Sequence, residues 1–309
     1  MSISNIRIAT RESPLAIWQA EHVRSELMKQ HPGLNVELVA MTTQGDRILD
    51  TPLSVAGGKG LFIKELEHSL LNGSADIAVH SMKDVTVDLP DGLALSVIMK
   101  RADPRDVFIS NHYQSLEELP EGSSVGTSSL RRQCQLRAYR PDLKLKDLRG
   151  NIGTRLRKLD EDQFDAIVLA AAGVTRLGFE ERIREYLELD VMLSAIGQGA
   201  IGIETRADDP AVLNIINPLN DELTKIQLIA ERAFSRRLYG GCQLPIAAHA
   251  RITNEQLVLR GLVGSPDGKT IIAGELGGLT ESAETLGLQL AEKLLNNGAD
   301  AILRELING

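Results

Sequence analysis

Cysteine is nearly absent from this 309-residue chain. Only Cys134 and Cys242 occur, in neither metal-ligand nor redox spacing, so neither a disulfide framework, a structural zinc nor any other bound metal is expected. No run approaches the ~18 apolar residues that a membrane span needs, so no membrane partner is expected either. The opening Met1-Ser-Ile-Ser-Asn-Ile-Arg lacks the basic and apolar blocks of a secretory signal, which predicts a cytoplasmic location. Positive charge is in deficit, 34 Lys and Arg against 42 Asp and Glu with a net charge of −8, which argues against a nucleic-acid partner. Repeats and low-complexity tracts are missing as well. What is present is an ordinary soluble composition, 43% apolar and 25% charged, over a length that suits two or three domains. One stretch reverses the overall sign: Gly126 to Lys158 carries roughly ten basic residues against about two acidic ones. An acidic protein with such a local basic region suits a small polyanionic ligand.

Short β-rich runs alternate with helical patterns through the first two hundred residues, the pattern of βαβ units around largely parallel sheets. The predicted strands are Ile6–Thr10, Val36–Thr43, Asp76–Met82, Leu93–Met99, Val107–Ser110, Ser124–Ser128, Leu143–Leu148 and Ala166–Ala171. Arg101-Ala-Asp-Pro-Arg-Asp reads as a loop and a hinge between two α/β lobes. Beyond about Asn217 the spacing predicts a separate α+β domain. It comprises a helix over Asp221–Tyr239 stopped by Gly240-Gly241, a hairpin of Gln256–Gly264 and Thr270–Glu275, and a helix over Thr280–Asn297 closed by Gly298.

The most distinctive local feature is Leu238-Tyr-Gly-Gly-Cys-Gln-Leu-Pro, which sets Cys242 in an exposed loop. Cys134 instead lies four residues from both Leu130 and Ala138 on a helical stripe and reads as a small core residue. For Cys242 alone, an inert loop cysteine is the better reading, since reactivity needs a stabilised thiolate or a special partner.

A second feature recurs. In Thr10-Arg-Glu-Ser-Pro, Gly57-Gly-Lys-Gly, Gly126-Thr-Ser-Ser-Leu-Arg-Arg and Arg149-Gly-Asn-Ile-Gly-Thr-Arg, a strand is expected to end and small or hydroxyl residues to open a helix with an arginine or lysine nearby. Helix N-terminal N–H groups beside a guanidinium receive carboxylate or phosphate, so four such endings imply a ligand with several acidic groups. Ser13 before Pro14 serves equally well as a helix N-cap. Ala75-Asp-Ile-Ala-Val-His-Ser-Met-Lys-Asp reads as a strand that delivers Ser81, Lys83 and Asp84 to a carboxyl edge. Asp84 there is an acid, a base, a cation stabiliser or a turn residue, and His80 reads as structural. Gly197-Gln-Gly-Ala-Ile-Gly matches the dinucleotide fingerprint in letters, but the alternating Ile201-Gly-Ile-Glu-Thr-Arg that follows predicts a strand where the fingerprint needs a helix.

These stretches, with Ala9-Thr-Arg-Glu-Ser-Pro-Leu-Ala, His80-Ser-Met-Lys-Asp-Val, Thr154-Arg-Leu and Gly240-Gly-Cys in order, make the chain resemble the porphobilinogen deaminase family over essentially its whole length. The resemblance implies two α/β lobes like those of periplasmic binding proteins, with mixed, mainly parallel sheets, and a smaller α+β C-terminal domain. The expected bounds are 1–99 with 200–217, 100–199, and 218–309, the first lobe taking back a strand after the second. It implies a dipyrromethane cofactor on Cys242 through a thioether, made from the enzyme's own substrate. Each porphobilinogen then loses ammonia to give an electrophilic azafulvene that the terminal pyrrole attacks, and hydrolysis after four rounds releases hydroxymethylbilane in haem biosynthesis.

By the same resemblance Asp84, Lys83, Arg11, Arg149 and Arg155 are catalytic. Cys242, Asp84, Lys83, Ser81, Thr127, Ser128, Ser129, Arg131, Arg132, Gly150 and Asn151 hold the cofactor. Arg11, Ser13, Lys59, Arg149, Arg155, Ala170, Arg176 and Gln198 bind substrate, Lys59 from an expected lid after Leu49. Thr86 departs from the family's usual proline and is expected to loosen the turn beside Asp84. A monomer is expected, since nothing in the sequence demands assembly. Two rivals stand beside this reading: a two-lobed solute-binding protein without chemistry, and an unrelated transferase in which Cys242 is an unmodified nucleophile.

Overall fold

A computed structural model describes residues 4–47, 60, 62–240 and 244–308. Lys59, the stretch after Leu49 and Cys242 lie outside them. The strands are β1 (Asn5–Arg11), β2 (Asn35–Met41), β3 (Ile77–Ser81), β4 (Leu93–Ile98), β5 (Asp106–Ile109), β6 (Ser124–Gly126), β7 (Lys144–Lys146), β8 (Ala166–Ala170), β9 (Glu185–Leu187), β10 (Ile201–Arg206), β11 (Ile246–Thr253), β12 (Gln256–Gly264) and β13 (Ile271–Leu279). The helices are α1 (Pro14–Gln30), α2 (Gln44–Arg47), α3 (Lys64–Leu71), α4 (Leu130–Tyr139), α5 (Ile152–Asp160), α6 (Ala171–Arg176), α7 (Pro210–Ile216), α8 (Glu222–Arg237), α9 (Ala283–Leu294) and α10 (Asp300–Asn308). The chain divides into two compact units, residues 1–102 with 200–225 and residues 103–199 with 226–309.

In the first unit the sheet runs β2-β1-β3-β10-β4. β1 is parallel to β2 and β3, and the late strand β10 enters antiparallel between β3 and β4. Five of the six residues of β10 are buried, as a strand covered on both faces requires. Ile6, Ile8, Ile77 and Ile203 pack with Val23 and Leu27 of α1 and Ile216 of α7 on one face. Ala9 and Ala78 meet Leu66 and Leu70 of α3 on the other.

The second unit contains the matching order β7-β6-β8-β5-β9. Leu156 of α5 and Val174 of α6 cover one face and Leu136 of α4 the other. The same unit holds a three-stranded antiparallel sheet, β11-β12-β13, packed against α8 and α9 through Phe234, Leu259 and Leu290. Gly261 faces Phe234 so closely that a β-carbon there would meet its ring, which is why a glycine interrupts β12. Cys134 packs with Leu193, Ala247 and Leu262, a core position as its helical spacing predicts.

Two expectations for the C-terminal segment, and one for the loop at Arg101–Asp106, need correction. The sheet has a third strand, β11, where the sequence pattern predicts only a hairpin. Gly298, at φ +107°, interrupts the last helical stretch as expected but does not end it. α10 follows, with Ile302 and Leu303 returning to the core. Asp106 does not lie in a loop either: it opens β5 and is wholly buried.

Candidate active site

Both α/β sheets place their candidate residues by the same rule. β1 lies between β2 and β3, so chain connections leave the carboxyl ends of β1 and β3 in opposite directions and open a crevice between them, as happens at β6 and β8 in the second sheet. Arg11 ends β1, and Ser81 ends β3. Thr127 to Arg132 follow β6, and Ala170 to Arg176 lie at the end of β8 and in α6.

In the first unit β3 runs into one 3-10 turn, Met82–Asp84. Met82 and Val85 are buried while Lys83 and Asp84 between them are half-buried, so two apolar anchors present two charged groups at the edge. Met82 N–H donates to Ala200 O at 3.0 Å, and the Met82 side chain fills the space left by the missing side chain of Gly202. Ser81 exchanges hydrogen bonds with the Gln19 amide, at 2.9 and 3.1 Å. Thr86 Oγ1 donates to Asp88 O at 2.8 Å, so this residue supplies its own hydrogen bond where a proline would supply rigidity. Ser13 is the N-cap of α1, accepting from Ala16 N at 3.3 Å. His80 is buried and bonded through Nε2 to Glu204 at 2.9 Å, a structural pair as the sequence predicts.

In the second unit Ser128 Oγ donates to Leu148 O and accepts from Leu148 N, tying the β6 end to the β7 end. Thr127 Oγ1 accepts from Ser129 N at 3.3 Å. Ser129 opens α4 without a side-chain cap, so the first-turn amides of α4 keep their capacity for an anion. Arg131 and Arg132 converge on Asp106. Arg131 Nη1 donates to Oδ2 at 2.8 Å, while Arg132 donates to Oδ1 from Nε at 3.1 Å and from Nη2 at 2.7 Å. The three side chains are 5%, 7% and 0% exposed, and two guanidiniums against one carboxylate leave a buried positive charge in excess. Burial opposes ionisation of Asp106, yet the two arginines outweigh it and hold its carboxyl well below the usual range. Burial, with Arg131 alongside, pushes Arg132 down. A net charge in low dielectric is costly unless an anion completes it.

Around α5, Asn151 caps Thr154 N at 2.9 Å, Arg155 Nε donates to Gly150 O at 2.7 Å, and Lys158 donates to the Arg149 carbonyl at 3.4 Å. Gly150 stands at φ +106°, and a β-carbon there would lie 2.7 Å from Thr154 Cγ2. Gly150→Ala is therefore expected to cost about 1–2 kcal/mol in urea unfolding, and an unchanged midpoint would show that the turn tolerates a side chain. Arg176 Nη2 donates to Gly199 O at 2.7 Å, and burial pushes its guanidinium down to about 10. Gln198, 1% exposed, donates from Nε2 to Pro104 O and to Asp106 Oδ1, at 2.7 and 3.0 Å.

Sequence reasoning missed two residues. Asp106 was absorbed into an expected loop, and the signal that could have found it is its acidic charge at the start of a buried apolar strand. Asp46 pairs with Arg11, and nothing in the local pattern marks it. Among the described residues no group of three or more His, Cys, Asp or Glu could hold a metal, and no helix is long and apolar enough to cross a membrane.

A family model described as porphobilinogen deaminase, dipyromethane cofactor binding domain, matches residues 6–214, and one for the porphobilinogen deaminase C-terminal domain matches residues 225–296. Among solved structures, the methionine-binding protein MetQ aligns at 16% identity and a TM-score of 0.44, over 69% of this chain and 90% of its own. A periplasmic domain of BvgS from Bordetella pertussis aligns at 16% and 0.42, over 69% and 86%. A periplasmic substrate-binding protein of an ABC transporter from Coxiella burnetii aligns at 13% and 0.43, over 71% and 94%.

Proposed function

Since the chain belongs to the porphobilinogen deaminase family, we propose that its hydroxymethylbilane synthase chemistry is carried by Asp84 and the arginines of the two switch points, on a dipyrromethane group attached to Cys242. The family's activity is the head-to-tail joining of porphobilinogen, with loss of ammonia, into a linear tetrapyrrole. When bound, dipyrromethane supplies the pyrrole carbon to which substrate is joined. The observation that carries the assignment is the buried Arg131–Arg132–Asp106 cluster, whose excess positive charge asks for an acidic group.

Asp84 accepts pyrrole N–H hydrogen bonds and stabilises the positive charge that develops as ammonia leaves the substrate. Lys83, beside it, offsets substrate carboxylates. Arg11, Arg149, Arg155 and Arg176, with Ser13, Lys59, Ala170 and Gln198, receive the acetate and propionate groups of incoming substrate. Ser81, Thr127, Ser128, Ser129, Gly150 and Asn151 complete the cofactor's surroundings. Because every unit added brings two carboxylates, several guanidiniums are needed where one would serve a single ring. We assign the protein to the cytoplasm as a monomer, which gel filtration at micromolar concentration tests.

Alkylation separates this reading from an unmodified cysteine nucleophile. Burial pushes the Cys134 thiol up to about 11, so it stays neutral and unreactive at pH 8. With Cys242 already in a thioether, iodoacetamide is expected to modify neither cysteine of the folded, cofactor-loaded protein. Stoichiometric labelling of Cys242 in protein that turns over substrate would remove the cofactor from the account.

A further inference from the structure

Arg11 ends β1 at the first switch point and is gripped from two sides by residues that the proposed chemistry leaves unused. Its Nε donates to Asp46 Oδ2 at 3.1 Å and its Nη2 donates to Asp46 Oδ1, a side-on bidentate pair. The Phe62 ring lies over the guanidinium, with the guanidinium carbon 4.3 Å from the ring centroid. Each gripping residue is itself fixed. Thr43 donates to Asp46 Oδ2 from its N–H at 3.2 Å and its hydroxyl at 2.7 Å. Phe62 is seated on Gly45, where any β-carbon would overlap the ring. The pair is about one-fifth exposed on both sides, so it lies within reach of a ligand.

The hydrogen bonds that the Arg11 guanidinium makes among the described residues all use its Nε–Nη2 edge, and Nη1 takes none of them. A guanidinium has a second edge, through Nη1 and the remaining Nη2 proton, that binds a carboxylate end-on. An arginine already ordered on one edge and one face loses little further freedom when its other edge is used. We propose that Asp46 is a positioning residue of the reaction: together with Phe62 it fixes Arg11 so that the Nη1 edge meets a carboxylate of the incoming substrate. This rests on the reading of Arg11 as a substrate-carboxylate receptor.

The test is a double-mutant cycle on kcat/KM in the cofactor-loaded enzyme, joined to a spectroscopic readout that needs no turnover. Asp46→Asn turns one acceptor into an amide donor that faces Nη2, and it is expected to lower kcat/KM by about 10- to 100-fold. In an Arg11→Ala background the same substitution should change nothing further. Phe62→Leu, which leaves the carboxylate in place, should behave alike and serves if Asp46→Asn fails to fold. In protein labelled with 15N-arginine, the Nε–Hε resonance that disappears in Arg11→Ala should be protected from exchange in the native sequence and lost in Asp46→Asn. An equal fold-loss in both backgrounds would make Asp46 merely structural, and a gain in kcat/KM would make it a competitor of substrate. Either overturns the proposal. If Arg11→Ala itself leaves kcat/KM unchanged, the assignment of Arg11 fails first and the proposal falls with it.

Discussion

Asp84→Asn is expected to lower turnover by about 10²- to 10⁴-fold while the protein folds and melts as before. The amide keeps the shape of the carboxylate and one of its acceptors but carries no charge, so stabilisation of the developing cation is lost. The backbone of the turn is held by buried Met82 and Val85 and by the bond from Met82 N to Ala200 O, none of which involves the Asp84 carboxylate. Loss should therefore fall on kcat more than on KM, since the substrate's carboxylates are read elsewhere. Thermal melting and steady-state rates on one preparation check both halves, and a near-normal kcat would remove Asp84 from the mechanism.

Asp106→Asn is the second large effect, and it falls on stability. Removing the carboxylate leaves two guanidiniums in a dry cluster with no counter-charge, and breaking such a buried pair costs about 3–5 kcal/mol. The pH dependence follows from the direction of the shift. The carboxyl is held below its unfolded value of about 3.9, so its contribution is complete above that pH and is lost as pH falls through the lower, folded value. The stability gap between native and variant protein should be constant from neutrality to about pH 4–5 and close progressively in stronger acid. Urea unfolding of the cofactor-free proteins at several pH values measures this, and a gap that widens on acidification would contradict the charge assignment.

Much of the α/β framework was legible because burial on one or both faces writes itself as apolar alternation or apolar runs. Each strand predicted before residue 200 occurs within a few residues of its expected ends. β9 was not legible, being only Glu185-Tyr-Leu. β11 was hidden because alanines at Ala247, Ala248 and Ala250 blur the alternation in a strand whose first half is nevertheless mostly buried. α10 was missed because Gly298 is a strong stop signal, and the chain resumes a helix after it.

What the sequence made legible of the candidate site is its strand ends rich in hydroxyl and basic residues, since the topology of a parallel sheet delivers such ends to one edge. The counter-charges were not. Asp106 meets its arginines across 25 and 26 residues and Asp46 meets Arg11 across 35, partnerships created by tertiary folding and invisible to local spacing. Ser13 shows the opposite case: the capping bond, one of the two readings that its place before Pro14 offers, is formed.

The central claim, that the chain works through dipyrromethane on Cys242, is tested most directly by intact mass of purified protein followed by peptide mapping. The account predicts a mass excess equal to two linked pyrrole units, located on the peptide that contains Cys242, and formed on incubation with porphobilinogen if the preparation lacks it. An unmodified Cys242 that acquires no adduct under those conditions, in protein that still makes hydroxymethylbilane, would contradict it.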